Sequence, residues 1–336
     1  MMVRTVRHVS TRGLAAMIMA AVVAVGLLGQ TAAAHPRPKP PKPVTTGYVA
    51  LGDSYAAGEG LAPFEEGTAG VGECHRSADA SYPVLLNDSG RREFRRLDSV
   101  ACSGAIIADL VATRPGTSRP PQVAAVDART RTITATIGGN DAGFGLIFGD
   151  CVYSPDPTLG AALPGRPGCS LRDDTLVSTR IAALAGGPGA PVVPGVVPLP
   201  VALKQLDAAA PRATIYLTGY PAIFGSRITS PYGCQVSDQA PLFVATQDAA
   251  WIAGKAAELN AAIRSAAAQA RRAGVDVRYV DAAAAFRRHN LCDRKAAWLN
   301  GVVLASVNPP QLSAATFHPT ARGQRAYAEA VSRLSR

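Results

Sequence analysis

Among the side chains able to do covalent chemistry, Ser54 stands out, because the hydrophobic run Tyr48-Val49-Ala50-Leu51 leads straight into Gly52-Asp53-Ser54. That order places Ser54 at the carboxyl end of a strand, where a nucleophile is exposed. Asp and Ser also cap helices, so the segment taken alone reads equally well as a helix start. The GxSxG elbow is absent because position 56 is Ala56, which argues against an α/β-hydrolase arrangement. A serine hydroxyl needs a base before it attacks a carbonyl. Of the five histidines, His8 and His35 lie in the amino-terminal region, His75 sits beside Cys74 in a glycine-rich loop, and His289 stands among charged residues. The last two read as surface positions. His318 stands just before Pro319 and an amphipathic terminal helix, a rigid setting for a ring that must point one way. Its plainer reading is a helix-entry histidine bonded to backbone.

Acyl transfer through a serine also needs donors for the oxyanion of the tetrahedral intermediate. Asn140, in Ile137-Gly138-Gly139-Asn140-Asp141, follows another strand-like run and carries a side-chain amide that can donate. Gly104, in Ala101-Cys102-Ser103-Gly104-Ala105, offers a backbone N–H that no side chain shields. Singly, each segment is only a turn signal. Asp53 and Asp141 read as residues that fix their own turns.

The elements that must position these residues alternate along the chain. Apolar or β-branched runs predict strands over 47–51, 96–100, 132–137, 214–218 and 277–280. Helical patterns occupy 81–87, 105–111, 121–128, 171–185, 200–210, 242–273 and 320–334, with Gly274 as a stop for the long one. Such alternation predicts an α/β fold, a parallel sheet with helices on both faces. Three long connections, 142–170, 222–240 and 286–317, each follow a strand, so they are expected to shape a site at the carboxyl edge of the sheet.

Ser, Gly, Asn and His in this order, as Gly52-Asp53-Ser54, Gly104, Gly138-Gly139-Asn140-Asp141 and His318, resemble the SGNH (GDSL-type) hydrolase family over most of the chain. The resemblance implies a three-layer α/β/α, flavodoxin-like fold with a parallel five-stranded sheet. It implies ester hydrolysis through an acyl-serine intermediate, with Ser54 as nucleophile, His318 as base, and an oxyanion hole from the Ser54 and Gly104 N–H groups and the Asn140 amide. Six cysteines and the Phe317-His318-Pro319-Thr320 ending look most similar to secreted actinobacterial esterases, lipases and phospholipases. One position departs: the family usually carries Asp three residues before the histidine, and here that residue is Ala315. A Ser-His dyad is therefore expected, its ring oriented by the backbone carbonyl of Ala315, with Asp281 and Asp293 as remoter alternatives.

Composition frames the site. Residues 1–34 read as a signal peptide: Arg4, Arg7 and Arg12 precede the apolar run Leu14 to Leu28, and Ala32-Ala33-Ala34 offers a cleavage site. That run is shorter than the roughly 20 residues needed to span a bilayer. A proline-rich basic spacer (35–44) follows, then one domain over 45–336. All six cysteines lie in the exported part and none forms a CxxC pair, which favours disulfides over metal ligation. Of fifteen connectivities, the sequential one, Cys74–Cys102, Cys151–Cys169 and Cys234–Cys292, closes the shortest loops.

The formal charge of +10 is spread over single arginines and pairs without aromatic interleaving, so nucleic acid is not expected as a partner. Peripheral contact with lipid or the cell envelope is the functional use of such charge. The residue inventory needs no metal or organic cofactor, and a secreted monomer is expected. Apolar connections favour a lipid or fatty-acyl ester. The alternatives are a polysaccharide O-acetyl esterase and a catalytically silent envelope-binding protein on the same fold.

Overall fold

The computed structural model describes residues 47–335, except 162, 164, 294, 308 and 309. The signal peptide and spacer expected over 1–44 lie outside the described residues.

Five parallel strands form the central sheet: β1 (Tyr48–Gly52), β2 (Leu97–Ser99), β3 (Thr132–Thr136), β4 (Thr214–Thr218) and β5 (Val277–Val280), in the order β2-β1-β3-β4-β5. All five coincide with the runs read from the sequence, to within two residues at their ends. Every residue of β1 and β3 is buried, which requires cover on both faces. One group of helices supplies part of that cover: α3 (Ile107–Val111), α6 (Cys169–Ala185), α7 (Leu199–Ala209) and α8 (Thr246–Arg272), with α6 and α7 against α8 and α7 against α3. The other pairs α2 (Tyr82–Asp88) with α9 (Ala321–Leu334). Among the described residues, no helix is long and apolar enough to cross a membrane.

Register brings the working ends together. Gly52 pairs with Thr136, Thr136 with Thr218, and Thr218 with Val280, so the turns after β1, β3 and β4 leave one edge of the sheet side by side. The order reverses between β1 and β3, and ligands bind at such a switch point in open parallel sheets. Gly52 has φ +126, and a Cβ there would lie 2.2 Å from the Thr136 carbonyl oxygen, so only glycine fits. Its N–H and C=O are both held by the Gln122 side chain, at 2.7 and 2.9 Å.

The helices follow from their apolar spacing. Ala249, Ile252, Ala256, Leu259, Ile263, Ala266 and Ala270 form the buried stripe of α8, and Gly274 stops it at φ +97. The expected start at 242 is corrected to Thr246, because Phe243–Val244 pairs antiparallel with Cys234–Gln235. The helix expected over 121–128 is a single 3-10 turn, Gln122–Ala125. The long connections carry structure of their own: α5 (Phe144–Cys151), preceded by the short α4 (Gly139–Ala142), and an antiparallel pair of Leu304–Val307 with Pro310–Leu312. Disulfides join Cys74 to Cys102, Cys151 to Cys169 and Cys234 to Cys292; the second closes the 142–170 connection on itself and the third ties the 222–240 connection to the 286–317 one.

Candidate active site

Ser54 opens the one-turn helix α1 (Ser54–Ala57), which Asp53 caps by accepting the Tyr55 N–H at 2.9 Å. The capping reading is realised by Asp53, while Ser54 is buried and meets the cleft only along its wall. The Ser54 N–H has no hydrogen-bond partner among the described residues. Gly60, at φ +82, lets the block after the serine pass within 2.6 Å (Cβ-equivalent) of the Ala315 Cα, where any side chain would collide. This close approach seats the carboxyl-terminal histidine loop over Ser54.

The ring of His318 lies 2.8 Å from the Ser54 Oγ through Nε2, while Nδ1 lies 2.9 Å from the Thr316 carbonyl oxygen. A carbonyl only accepts, so Nδ1 carries the proton and Nε2 accepts from the serine hydroxyl. The orienting carbonyl expected at Ala315 is corrected to Thr316. The Ala315 oxygen is taken by the His318 backbone N–H at 3.1 Å, and Phe317, at φ +59, turns the chain so that the carbonyl two residues back faces the ring. Tyr55 fixes that turn from 262 residues away by donating its hydroxyl to the Phe317 carbonyl at 2.8 Å. Both ring nitrogens are occupied, so neither Asp281 nor Asp293 orients the imidazole. Enclosure pushes the His318 pKa down to about 4, opposed by the backbone bonds of Thr316 and Ala314.

Asn140, on α4, donates one Nδ2 hydrogen to the Ala105 carbonyl at 2.9 Å and keeps the other. Asp141 accepts the Ile107 N–H at 3.0 and 3.2 Å and so ties α4 to α3. In the turn Cys102–Ala105, the N–H groups of Cys102, Ser103 and Ala105 are spent on Gly52, Cys74 and Cys102, whereas that of Gly104 has no partner among the described residues. Arg114 holds the Gly104 carbonyl at 2.9 Å. Ser54, Gly104, Asn140 and His318 share the wall of one cleft of about 600 Å³. Phe144, Phe148, Val152, Ile223, Leu312 and Phe317 make the rest of it largely apolar, with Phe148 stacked on Phe317 at 4.3 Å.

A serine hydroxyl in contact with a neutral imidazole, with unspent N–H groups beside it at the switch point of a parallel sheet, is an arrangement compatible with acyl transfer. The family model described as GDSL-like Lipase/Acylhydrolase matches residues 50–326. The chain belongs to this family. The enzyme is accordingly a hydrolase of the lipase and esterase class. Lipase 2 of Streptomyces coelicolor is 31% identical over 328 residues, 96% of this chain and 95% of that protein. The phospholipase A1 of Streptomyces albidoflavus superposes with a TM-score of 0.62 at 28% identity, covering 86% of this chain and 98% of that one. The extracellular lipase of Streptomyces rimosus gives the same score and identity over 86% and 99%.

Two features of the enzyme's site escape sequence reasoning. His75 is not a simple surface residue: it lines the cleft, partly buried, with Nδ1 2.8 Å from Glu59 and Nε2 2.9 Å from the Gly70 carbonyl. Glu59 is itself buried, accepts the Ser103 hydroxyl beside Gly104, and has its pKa raised by that burial. His289 is likewise partly buried, stacked on Trp298 at 3.7 Å, away from the cleft. Tyr220, two residues past β4, is buried between the serine and asparagine turns, donating its hydroxyl to Asp53. The only sequence signal for Tyr220 is an aromatic residue leaving the same sheet edge. Burial raises the carboxyl pKa of Asp53 to about 7 against the bonds from Tyr220 and Tyr55, and does the same to Asp141 against the bond from Ile107.

Proposed function

We propose that the enzyme is a secreted serine hydrolase that cleaves carboxylic esters of fatty-acyl or lipid type through an acyl-serine intermediate, using a Ser54–His318 dyad. The observation that carries this reading is the 2.8 Å contact between Ser54 Oγ and His318 Nε2, with Nδ1 committed to the Thr316 carbonyl, on the wall of an apolar cleft.

In this mechanism Ser54 Oγ attacks the ester carbonyl carbon as its proton passes to Nε2. The carbonyl oxygen becomes an oxyanion and accepts from the N–H groups of Ser54 and Gly104 and from the free Asn140 Nδ2 hydrogen. Collapse breaks the ester C–O bond, and the imidazolium returns its proton to the departing alcohol. Water then attacks the acyl-serine with His318 again as base, and the acid leaves. The Thr316 carbonyl dipole stabilises the transient imidazolium in the place of a carboxylate. An imidazole with a pKa near 4 is neutral at neutral pH and ready to accept a proton.

The aromatic and aliphatic walls suit a hydrocarbon chain better than a glycan, which supports fatty-acyl over polysaccharide O-acetyl substrates. Three disulfides suit an oxidising compartment, which supports secretion. Labelling of the protein with a fluorophosphonate probe is expected, and Ser54→Ala abolishes it together with at least about 1000-fold of ester turnover. Retained turnover in Ser54→Ala refutes the nucleophile, and failure of the wild-type protein to label refutes an active serine altogether. Rates over an acyl chain-length series, set against an acetylated glycan, test the substrate class. Activity confined to acetyl groups counts against it.

A further inference from the structure

Three turns from three strands meet at the site, and one oxygen atom joins two of them. The Tyr220 hydroxyl accepts the Gly139 N–H at 2.9 Å and donates its own hydrogen to Asp53 Oδ2. Gly139 immediately precedes Asn140, and Asp53 immediately precedes Ser54. The tyrosine is itself clamped: the Asn260 side chain from α8 accepts the Tyr220 N–H and donates to the Tyr220 carbonyl, both at 2.8 Å. Its ring packs edge-on against Tyr55 at 5.2 Å between centroids, and a Cβ at Gly139 would come within 3.2 Å of it, so the hydroxyl has little room to move.

We propose that Tyr220 is a positioning residue that sets the distance between the Ser54 and Asn140 oxyanion donors. An oxyanion hole works only when donors on separate segments converge on one oxygen at about 2.7–3.1 Å. The Ser54 turn hangs from β1 and the Asn140 turn from β3, and the ladder between them ends at the Asp53 N–H, which donates to the Thr136 carbonyl at 2.9 Å. The tyrosine oxygen holds both through hydrogen bonds one residue upstream of each donor. Without it, buried Asp53 Oδ2 loses its donor and the half-buried Gly139 N–H loses its acceptor, and both turns relax toward other partners. Tyr220 makes no bond to the reacting atoms, so it acts through Ser54 and Asn140.

The inference rests on the oxyanion reading above and is tested separately from it. Tyr220→Phe keeps the ring packing and removes only the hydroxyl. With rates normalised to fluorophosphonate-titrated sites, kcat is expected to fall about 10-fold or more while KM stays within about 2-fold. Affinity for an alkyl boronic acid, whose tetrahedral adduct places a charged oxygen in the hole, is expected to fall by the same factor. In an Asn140→Ala background the same change is expected to cost much less, because one of the donors it positions is gone. An unchanged kcat, a loss confined to the number of titratable sites, or an equal loss in both backgrounds overturns the proposal. Should Tyr220→Phe not fold, Asp53→Ala removes the acceptor at the other end of the link and is expected to lower kcat at least about 10-fold, an unchanged kcat overturning the proposal. Loss of activity in Ser54→Ala with full activity in Tyr220→Phe removes this inference alone. Full activity in Ser54→Ala removes the reading beneath it.

Discussion

Lowering the pH tests the state of His318 directly. An ordinary imidazole titrates near 6.5, so at pH 5.5 only about a tenth of it stays neutral and able to act as a base. His318 has its pKa pushed down to about 4 by enclosure, which leaves about 97% neutral at that pH. The kcat/KM for a soluble short-chain activated ester is therefore expected to change by less than about 1.5-fold between pH 7.5 and 5.5, where an unperturbed base would lose about 10-fold. The assay follows hydrolysis by chromatography in mixed buffers of constant ionic strength, with activity re-measured after return to pH 7.5. Stability enters with a definite sign. His318 refuses a proton that the unfolded chain accepts, so its contribution declines as pH falls from about 6.5 to about 4. Asp53 and Asp141, raised to about 7, work the other way: their contribution is complete in acid below the unfolded value of about 3.9 and is lost as pH rises through 7. A reversible acid limb centred near pH 6.5 that persists in Asp53→Asn and Asp141→Asn, the two carboxyls raised to about 7, would refute the assigned protonation state.

Other perturbations follow from the same geometry. Asn140→Ala removes a donor aimed into the cleft and is expected to lower kcat about 100- to 1000-fold with the melting temperature little changed; steady-state kinetics and a thermal melt check both halves. Gly149 lines the cleft on α5, and a Cβ there would touch nothing within 4 Å. Gly149→Leu should therefore fold and fill substrate space, cutting kcat/KM for long-chain esters at least about 10-fold relative to acetyl esters. An unchanged chain-length profile would mean that the acyl chain lies elsewhere. Replacing both Cys74 and Cys102 by Ser opens a loop with a sequence separation of 28 and is expected to cost about 3 to 4 kcal/mol in denaturant unfolding. Because the bond also anchors the Gly104 turn, kcat should fall in the folded fraction.

Much of the fold was legible in the linear pattern. Short β-branched runs and amphipathic stretches alternate because a strand buried on both faces and a helix buried on one each leave a local signature, and those signatures gave β1 to β5 and the main helices. Ser54, Gly104, Asn140 and His318 could also be singled out, since each sits next to a glycine, a proline or a strand end that shapes backbone locally. The insertions were less legible, because their short strands exist only through partners: Phe243–Val244 needs Cys234–Gln235, and without that pairing the run reads as helix.

What tertiary structure alone decided is which atoms meet. The carbonyl that orients His318 belongs to Thr316 and not Ala315, because Tyr55 and the 298–303 segment hold the loop so that Phe317 adopts a left-handed turn. His75 reads as a surface residue from its place beside Cys74 in a glycine-rich loop, yet buried Glu59 draws it onto the cleft wall. Tyr220 carried no motif at all, and its position between Asp53 and Gly139 exists only once three strands are in register. Sequence patterns report which residue types a backbone segment favours, whereas a hydrogen bond between residues 167 apart depends on the whole sheet having formed.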